Sequence, residues 1–151
     1  MIAVKRIAPM ALLYIESVEY LEVQQMQETH ENEIKILNEI DRLATQYSMD
    51  KSKLTEVETK IEKYLVHLKT HFSSEEELMH RYNYPNYEMH KLAHDMFIAD
   101  LEITLKQWHL HNNIDKVIHF IRKSPEWIIL HINTMDAPTS AYITQKMKIK
   151  Q

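Results

Sequence analysis

The chain has 151 residues, which is enough for one domain with a sizeable buried core. Its formal net charge of -4 argues against a nucleic-acid-binding protein, since such proteins usually carry a basic excess. The sequence contains no Gly and no Cys, which excludes glycine-dependent phosphate loops, disulfides, thiolate metal sites and Cys nucleophiles.

The first segment has some features of a secretory leader, because Lys5 and Arg6 precede an apolar run from Ile7 to Ile15. Pro9 interrupts this run and no small-x-small cleavage site follows it. We therefore expect an N-terminal arm that packs on the domain, and a cytoplasmic protein. No apolar run reaches the roughly 18–20 residues of a transmembrane helix, so we expect no membrane span.

Apolar residues recur with the helical period of 3.6 in four later stretches. The predicted helices run from about Val23 to Tyr47, from after Asp50 to about Arg81, from about Asn86 to His109, and from about Ile114 to Met135. Short connections between four helices predict an all-α fold, an antiparallel up-down four-helix bundle with an N-terminal arm. The predicted division is an arm over residues 1–22, a bundle over 23–136 and a C-terminal tail over 137–151.

Prolines and asparagines mark the expected helix ends. Pro85 should end the second helix, because proline disfavours a helical residue before it, and Asn112 and Asn113 can make the next turn. Ser124-Pro125 should kink the fourth helix or divide it in two. Pro138 should end the bundle, and a short basic tail follows.

Several polar residues lie on the apolar stripes of the predicted helices. His71 and Glu75 are four residues apart, and so are His90 and His94, so each pair shares one helix face. An ionised carboxylate in a dry interior costs several kcal/mol unless it is paired, and the positions around Glu75 hold no Lys or Arg. A bound metal ion would remove this cost.

The fourth helix adds His131 and Asp136, which are five residues apart and thus separated by about 140° on a regular helix. For both to face the core, the helix must end, widen or bulge between them, and such bulges often mark functional sites. With His30 on the first helix, five imidazoles and two carboxylates then share one interior. Independent coincidence explains this set poorly.

The ligand types limit the metal to iron, manganese, zinc or copper. Seven ligands are too many for one ion, and two six-coordinate ions offer twelve positions. If both carboxylates and a solvent oxygen bridge the two ions, eleven positions are filled. The remaining position, lined by apolar side chains, would suit a small neutral ligand.

Three sequence blocks surround these residues. They are His71-Phe72-Ser73-Ser74-Glu75-Glu76 followed by Met79, Tyr84-Pro85, His90 and His94; Trp127-Ile128-Ile129-Leu130-His131-Ile132 closed by Asp136; and the helix around His30 with Ile34, Leu37 and Asn38. Over about residues 20–136 the chain resembles the hemerythrins, specifically the bacterial hemerythrin-like proteins.

This resemblance implies a non-haem di-iron centre that binds O2 reversibly. It implies that one iron is held by His90, His94 and His131, and that the other, with the open position, is held by His30 and His71. It implies that Glu75, Asp136 and a solvent oxo or hydroxo group bridge the two irons. The residues that would wall the O2 pocket are Phe72, Trp127, Ile128 and Ile132.

The chain departs from the hemerythrin pattern at four positions. Ile15 stands where Trp is frequent, Glu22 replaces a frequent Gly, and Glu33 replaces a usual Leu. Pro138 lies where the helix after Asp136 normally continues. All seven ligand positions are intact.

The favoured function is O2 carriage, storage or sensing by a monomeric protein that is not an enzyme and binds neither nucleic acid nor membrane. The first alternative is a di-iron oxidase or peroxidase, but such enzymes use mostly carboxylates, whereas imidazoles dominate here. Another is iron or nitric-oxide handling, for which a Cys-containing segment would be usual. A purely structural metal site fits poorly, because such a site leaves no position open.

Overall fold

The structure is a computed structural model that describes residues 11–149. Over this range it contains helices and no strand, which confirms the predicted all-α class. The four main helices are α1 (Gln24–Met49), α2 (Leu54–Arg81), α3 (Tyr87–His111) and α4 (Asp115–His131). The positively charged start of the leader-like segment and the first ten residues of the predicted arm lie outside the described residues.

Shorter helical segments complete the described chain. Single 3-10 turns span Ile15–Ser17 and Lys51–Lys53. After α4 the chain continues through a π-helical turn (Ile132–Asp136) into α5 (Ala137–Ile149). Between residues 11 and 149, no helix has both the length and the apolar character required to cross a bilayer.

The four main helices form a bundle in which α1 packs on α2 and α4, while α3 packs on the same two helices. Their inward faces carry the stripes predicted from the sequence. The core includes fully buried side chains from three of these helices: Leu37, Ile40, Ile61, Leu68 and Leu101. Burial of such side chains stabilises the fold by roughly 1.5–3 kcal/mol each.

The segment before α1 lies against the bundle. Leu13 is buried in the core, and its backbone exchanges two hydrogen bonds with the Asn38 side chain, at 2.9 and 2.8 Å. Further along, the Val23 amide donates to the Ser140 hydroxyl on α5. The described part of the predicted arm thus contacts α1, and Val23, directly after it, contacts α5.

Two predicted breaks behave differently. Asn112 takes the left-handed conformation at the end of α3, with φ of 51°, which confirms the predicted turn. Pro125 does not divide α4, which runs unbroken from Asp115 to His131. Proline leaves the carbonyl four residues earlier without its helical donor. The Ser124 hydroxyl donates to that carbonyl, on Ile121, at 2.6 Å.

The prediction that the helix ends at Pro138 is wrong. Pro138 is the second residue of α5, and the helix continues to Ile149 with Thr139, Ser140 and Ile143 buried. In the π turn that precedes Pro138, backbone hydrogen bonds join residues five apart, whereas in α5 they join residues four apart. The hydrogen-bond spacing therefore changes at this junction. A missing backbone donor is tolerated at such a junction, as it is in the first turn of a helix.

Candidate metal centre

The structure brings together the seven histidines and carboxylates predicted from the sequence. Each of the four main helices contributes, and the π turn supplies the last residue. All seven are buried, with at most 5% of their surface exposed: His30, His71, Glu75, His90, His94, His131 and Asp136.

The π turn places Asp136 beside His131. The Ala137 amide bonds to the carbonyl of Ile132, five residues back, so the backbone is widened over this turn. As a result Asp136 Oδ1 lies 3.1 Å from His131 Nε2. This confirms the prediction that the helix bulges between these two residues. Such single π turns frequently occur at functional sites.

The Glu75 carboxylate faces two groups of histidines, one with each oxygen. Its Oε2 atom lies 2.8 Å from His71 Nε2 and 3.5 Å from His30 Nε2. Its Oε1 atom lies 3.2 Å from His94 Nε2 and 3.6 Å from His90 Nε2. The two oxygens therefore point at different imidazoles.

Asp136 divides its oxygens in the same way. Its Oδ2 atom lies 2.9 Å from His30 Nε2, whereas its Oδ1 atom lies 2.9 Å from His90 Nε2. The donor atoms thus form two groups that share Glu75 and Asp136. The histidines of the first group are His90, His94 and His131, and those of the second are His30 and His71.

These atoms fit a metal better than they fit one another. Within residues 11–149, several find no hydrogen-bond partner of suitable geometry, namely His30 Nε2, His90 Nε2, Glu75 Oε1 and both Asp136 oxygens. Adjacent ligand atoms bonded at about 2.1 Å to one ion, at right angles, lie about 3 Å apart. Most of the separations between carboxylate oxygens and imidazole nitrogens are close to that value. The donor set therefore suits metal binding.

In the metal-free cluster, the imidazoles and carboxylates shift one another's pKa. Burial alone would lower the pKa of His30, but the close, negatively charged carboxylates of Asp136 and Glu75 outweigh it and raise the pKa to about 9. The same causes raise the pKa of His90 to about 9. Burial opposes ionisation of Glu75, yet the His71 charge and histidine hydrogen bonds hold its pKa well below the usual range.

Two of the imidazoles have outer partners that the sequence reasoning missed. His90 Nδ1 lies 2.8 Å from the Thr139 hydroxyl, which itself donates to the carbonyl of Met135. Thr139 was missed because the helix was predicted to end before it. His94 Nδ1 lies 3.0 Å from Glu76 Oε2. Such partners fix the orientation of a metal-binding imidazole.

His71 also has an outer partner, the buried carboxylate of Glu33. Glu33 is 4% exposed, and its Oε2 atom lies 2.5 Å from His71 Nδ1. The buried Tyr64 lies close enough that, after burial itself, the Glu33 charge contributes to raising the tyrosine pKa. The sequence showed Glu33 only as a carboxylate three residues after His30 on the same helix, because its partner lies on α2.

The residues predicted to wall an O2 pocket lie beside the cluster. The Phe72 ring stacks on His94, with centroids 3.9 Å apart, and the Trp127 ring stacks on His131 at 4.4 Å. Ile128 and Ile132 are buried, each 3% exposed. Two aromatic rings thus cover imidazoles of the cluster, and the role of these four residues in O2 binding stays a prediction.

The other histidines are less involved. His80, His109, His111 and His119 are exposed. His67, one turn before His71, is half-buried, and its ring centroid lies 6.2 Å from that of His71.

Comparison with known proteins gives one informative match. No protein-family model matches the chain, and no solved structure matches it. The chain is 28% identical to a protein named Bacteriohemerythrin, from Aquifex aeolicus (strain VF5), over 116 residues that cover 76% of this chain and 85% of the relative. This match confirms the resemblance inferred from the sequence blocks, and it supports a hemerythrin-like family for the chain.

Proposed function

We propose that this chain binds O2 reversibly at a non-haem di-iron centre, and that it is not an enzyme. The observation that carries the proposal concerns the carboxylates of Glu75 and Asp136. Each has one oxygen near the first histidine group and its other oxygen near the second. A carboxylate that bridges two metal ions presents its oxygens in this way. The similarity to Bacteriohemerythrin favours iron over the other metals that suit such ligands.

In this proposal the two histidine groups are not equivalent. His90, His94 and His131 would hold one iron, and His30 and His71 would hold the other. Glu75, Asp136 and a solvent oxo or hydroxo group would bridge them. Such a centre supplies the two electrons and the open coordination position that reversible O2 binding requires. The open position would belong to the ion with two histidines, because that group offers one imidazole fewer.

The surrounding side chains would protect this position from water. The Phe72 ring contacts a histidine of each group, with its centroid 3.9 Å from that of His94 and 5.1 Å from that of His71. Trp127 covers His131, and Ile128 and Ile132 are buried. A dry pocket slows loss of the bound ligand and oxidation of the metal. We also propose the antiparallel up-down arrangement of the bundle, since short connections join its successive helices. The monomeric state and the cytoplasmic location stay predictions.

The test is optical titration of the iron-loaded protein with O2. The protein, reduced under nitrogen, should gain a visible absorption band in air and lose it when O2 is removed, through several cycles. His71→Ala should abolish this band, whereas His109→Ala, which changes an exposed histidine, should keep it.

Three results would contradict the proposal. One is a band that appears in air but cannot be reversed by removing O2. Another is steady consumption of O2 or peroxide with an added reductant, which would favour the oxidase or peroxidase alternative. The third is an unchanged band in His71→Ala, which would remove the ligand assignment.

A further inference from the structure

Glu33 is a buried carboxylate that the proposed ligand set does not use. It lies on α1, three residues after His30, with 4% of its surface exposed. Among the described residues, the ion-pair partner of Glu33 is His71, whose Nδ1 atom lies 2.5 Å from Glu33 Oε2. A carboxylate buried to this degree is unfavourable unless a partner compensates its charge.

The two ring nitrogens of His71 face two different carboxylates. Its Nε2 atom lies 2.8 Å from Glu75 Oε2, at the centre of the cluster, and its Nδ1 atom faces Glu33 on the outside. Both nitrogens thus face a carboxylate oxygen in the metal-free protein. Once Nε2 binds a metal, the single proton of the neutral imidazole lies on Nδ1, where the Glu33 oxygen is close enough to accept it.

The neighbouring residues also suggest a different role, as a further metal site. Glu33, His67 and His71 offer atoms that lie within 4.8 Å of one another. However, a further ion would need His71 Nδ1 without its proton while His71 Nε2 already serves the main centre. The geometry therefore favours Glu33 as a hydrogen-bond acceptor.

The outer partners of the other imidazoles show what Glu33 adds. His90 Nδ1 meets the neutral hydroxyl of Thr139. Among residues 11–149, His30 pairs with carboxylates only through Nε2. Glu33 thus supplies the carboxylate on the side of the cluster formed by His30 and His71. An imidazole that donates to a carboxylate is a more basic ligand, and a more basic ligand stabilises the higher oxidation state of its metal.

Resting on the function proposed above, we propose that Glu33 is a positioning residue of the metal centre. It accepts the Nδ1 proton of His71, holds Nε2 of that imidazole toward the metal, and by its charge favours the oxidised metal. Glu33→Leu removes both acceptor and charge, Glu33→Gln removes the charge alone, and Glu33→Asp retains both. Glu28→Gln removes an exposed charge from the same helix and is the matched control.

The first readout needs no metal. In metal-free protein labelled with 15N-histidine, the Nδ1 proton of His71 should exchange slowly in the wild type and in Glu28→Gln. It should exchange rapidly in Glu33→Leu. Slow exchange in Glu33→Leu would overturn the proposal whether or not the chain binds iron.

The second readout is the midpoint potential of the iron-loaded proteins, titrated with mediator dyes that accept the electron lost by the metal. Glu33→Gln and Glu33→Leu should lower the ratio of oxidised to reduced metal at a fixed potential about tenfold, equivalent to an upward shift of about 59 mV for one electron. Glu33→Asp and Glu28→Gln should leave the potential near that of the wild type. Glu33→Leu should also bind metal about 10–100-fold more weakly in competition with a chelator.

The outcomes separate this proposal from the proposed function. If the wild type binds iron and O2 but the potential does not change in Glu33→Gln or Glu33→Leu, Glu33 has no such role and the proposed function stands. A potential that changes equally in Glu28→Gln would also overturn the proposal, because any acidic residue would then act in this way. If Glu33→Leu does not fold, Glu33→Gln decides. A wild type that binds no iron would overturn both.

Discussion

In the metal-free protein, the imidazoles and carboxylates of the cluster shift one another's pKa. Asp136 and Glu75 raise the pKa of both His30 and His90 to about 9, against the opposing effect of burial. At neutral pH these imidazoles carry protons in the metal-free protein. A metal ion can use their Nε2 atoms only after those protons leave.

Metal uptake should therefore release protons. At pH 7, anaerobic addition of Fe²⁺ to the metal-free protein should release protons from these two imidazoles and from His71, whose pKa lies well above its usual value because Glu75 and Glu33 outweigh burial. Because the raised pKa keeps His30 and His90 protonated below about 9, metal affinity should rise with pH at least up to that value. A pH indicator in weakly buffered solution measures the release. Uptake at pH 7 without proton release would show that these imidazoles are not the ligands.

Trp127, whose ring covers His131, should affect the rate of autoxidation and not the iron content. Trp127→Ala should open the proposed pocket to water and speed autoxidation of the iron several-fold, while the iron content stays unchanged. The decay of the oxygenated absorption band measures the rate. Trp127→Phe retains an aromatic cover and should lie near the wild type. Equal rates in Trp127→Ala and the wild type would remove the argument for a protective wall.

The fourth helix shows how an element adjusts to residues that disfavour its regular form. The Ser124 hydroxyl donates a hydrogen bond to the carbonyl that Pro125 leaves without a helical donor, and α4 continues. Directly after His131, the π segment widens the backbone and turns Asp136 toward the cluster. α5 then returns with Thr139 against His90. The site thus depends on the whole length of this helix, including the part beyond Pro138.

Removing the Ser124 hydroxyl should destabilise the protein. Ser124→Ala leaves the buried carbonyl of Ile121 without that donor, which should lower the free energy of unfolding by about 1 kcal/mol. Urea denaturation measures this change. Ser73→Ala, at an exposed position within α2, corrects for the higher helix propensity of alanine. If the two variants have the same free energy of unfolding, the hydroxyl does not stabilise the helix at Pro125.

For the molecule as a whole, the helical period predicted the four main helices to within a few residues, because each buries one apolar stripe. The end of α2 at Arg81 and the left-handed Asn112 were predictable from local chemistry. The continuation through Pro138 was not, because it depends on the register change in the π turn. The role of Glu33 was also hidden, since only the packing of α1 on α2 places it beside His71.

The same packing implies that the bundle and its metal stabilise each other. The cluster draws residues from all four main helices, so a metal that binds the folded state alone stabilises the bundle. At a hundredfold excess over its dissociation constant this contributes about 2.7 kcal/mol. Removing the metal with a chelator should therefore lower the melting temperature by about 5–11 °C. Equal melting temperatures with and without the chelator would mean that the metal, if present, lies outside the core.

The most direct measurement is the metal content of anaerobically purified protein, determined by elemental analysis against protein concentration. The wild type and His109→Ala should each contain two iron atoms per chain, whereas Glu75→Ala and His71→Ala should each lose at least one. A wild type without stoichiometric metal, or full metal content in both ligand variants, would contradict a dinuclear centre at these buried residues.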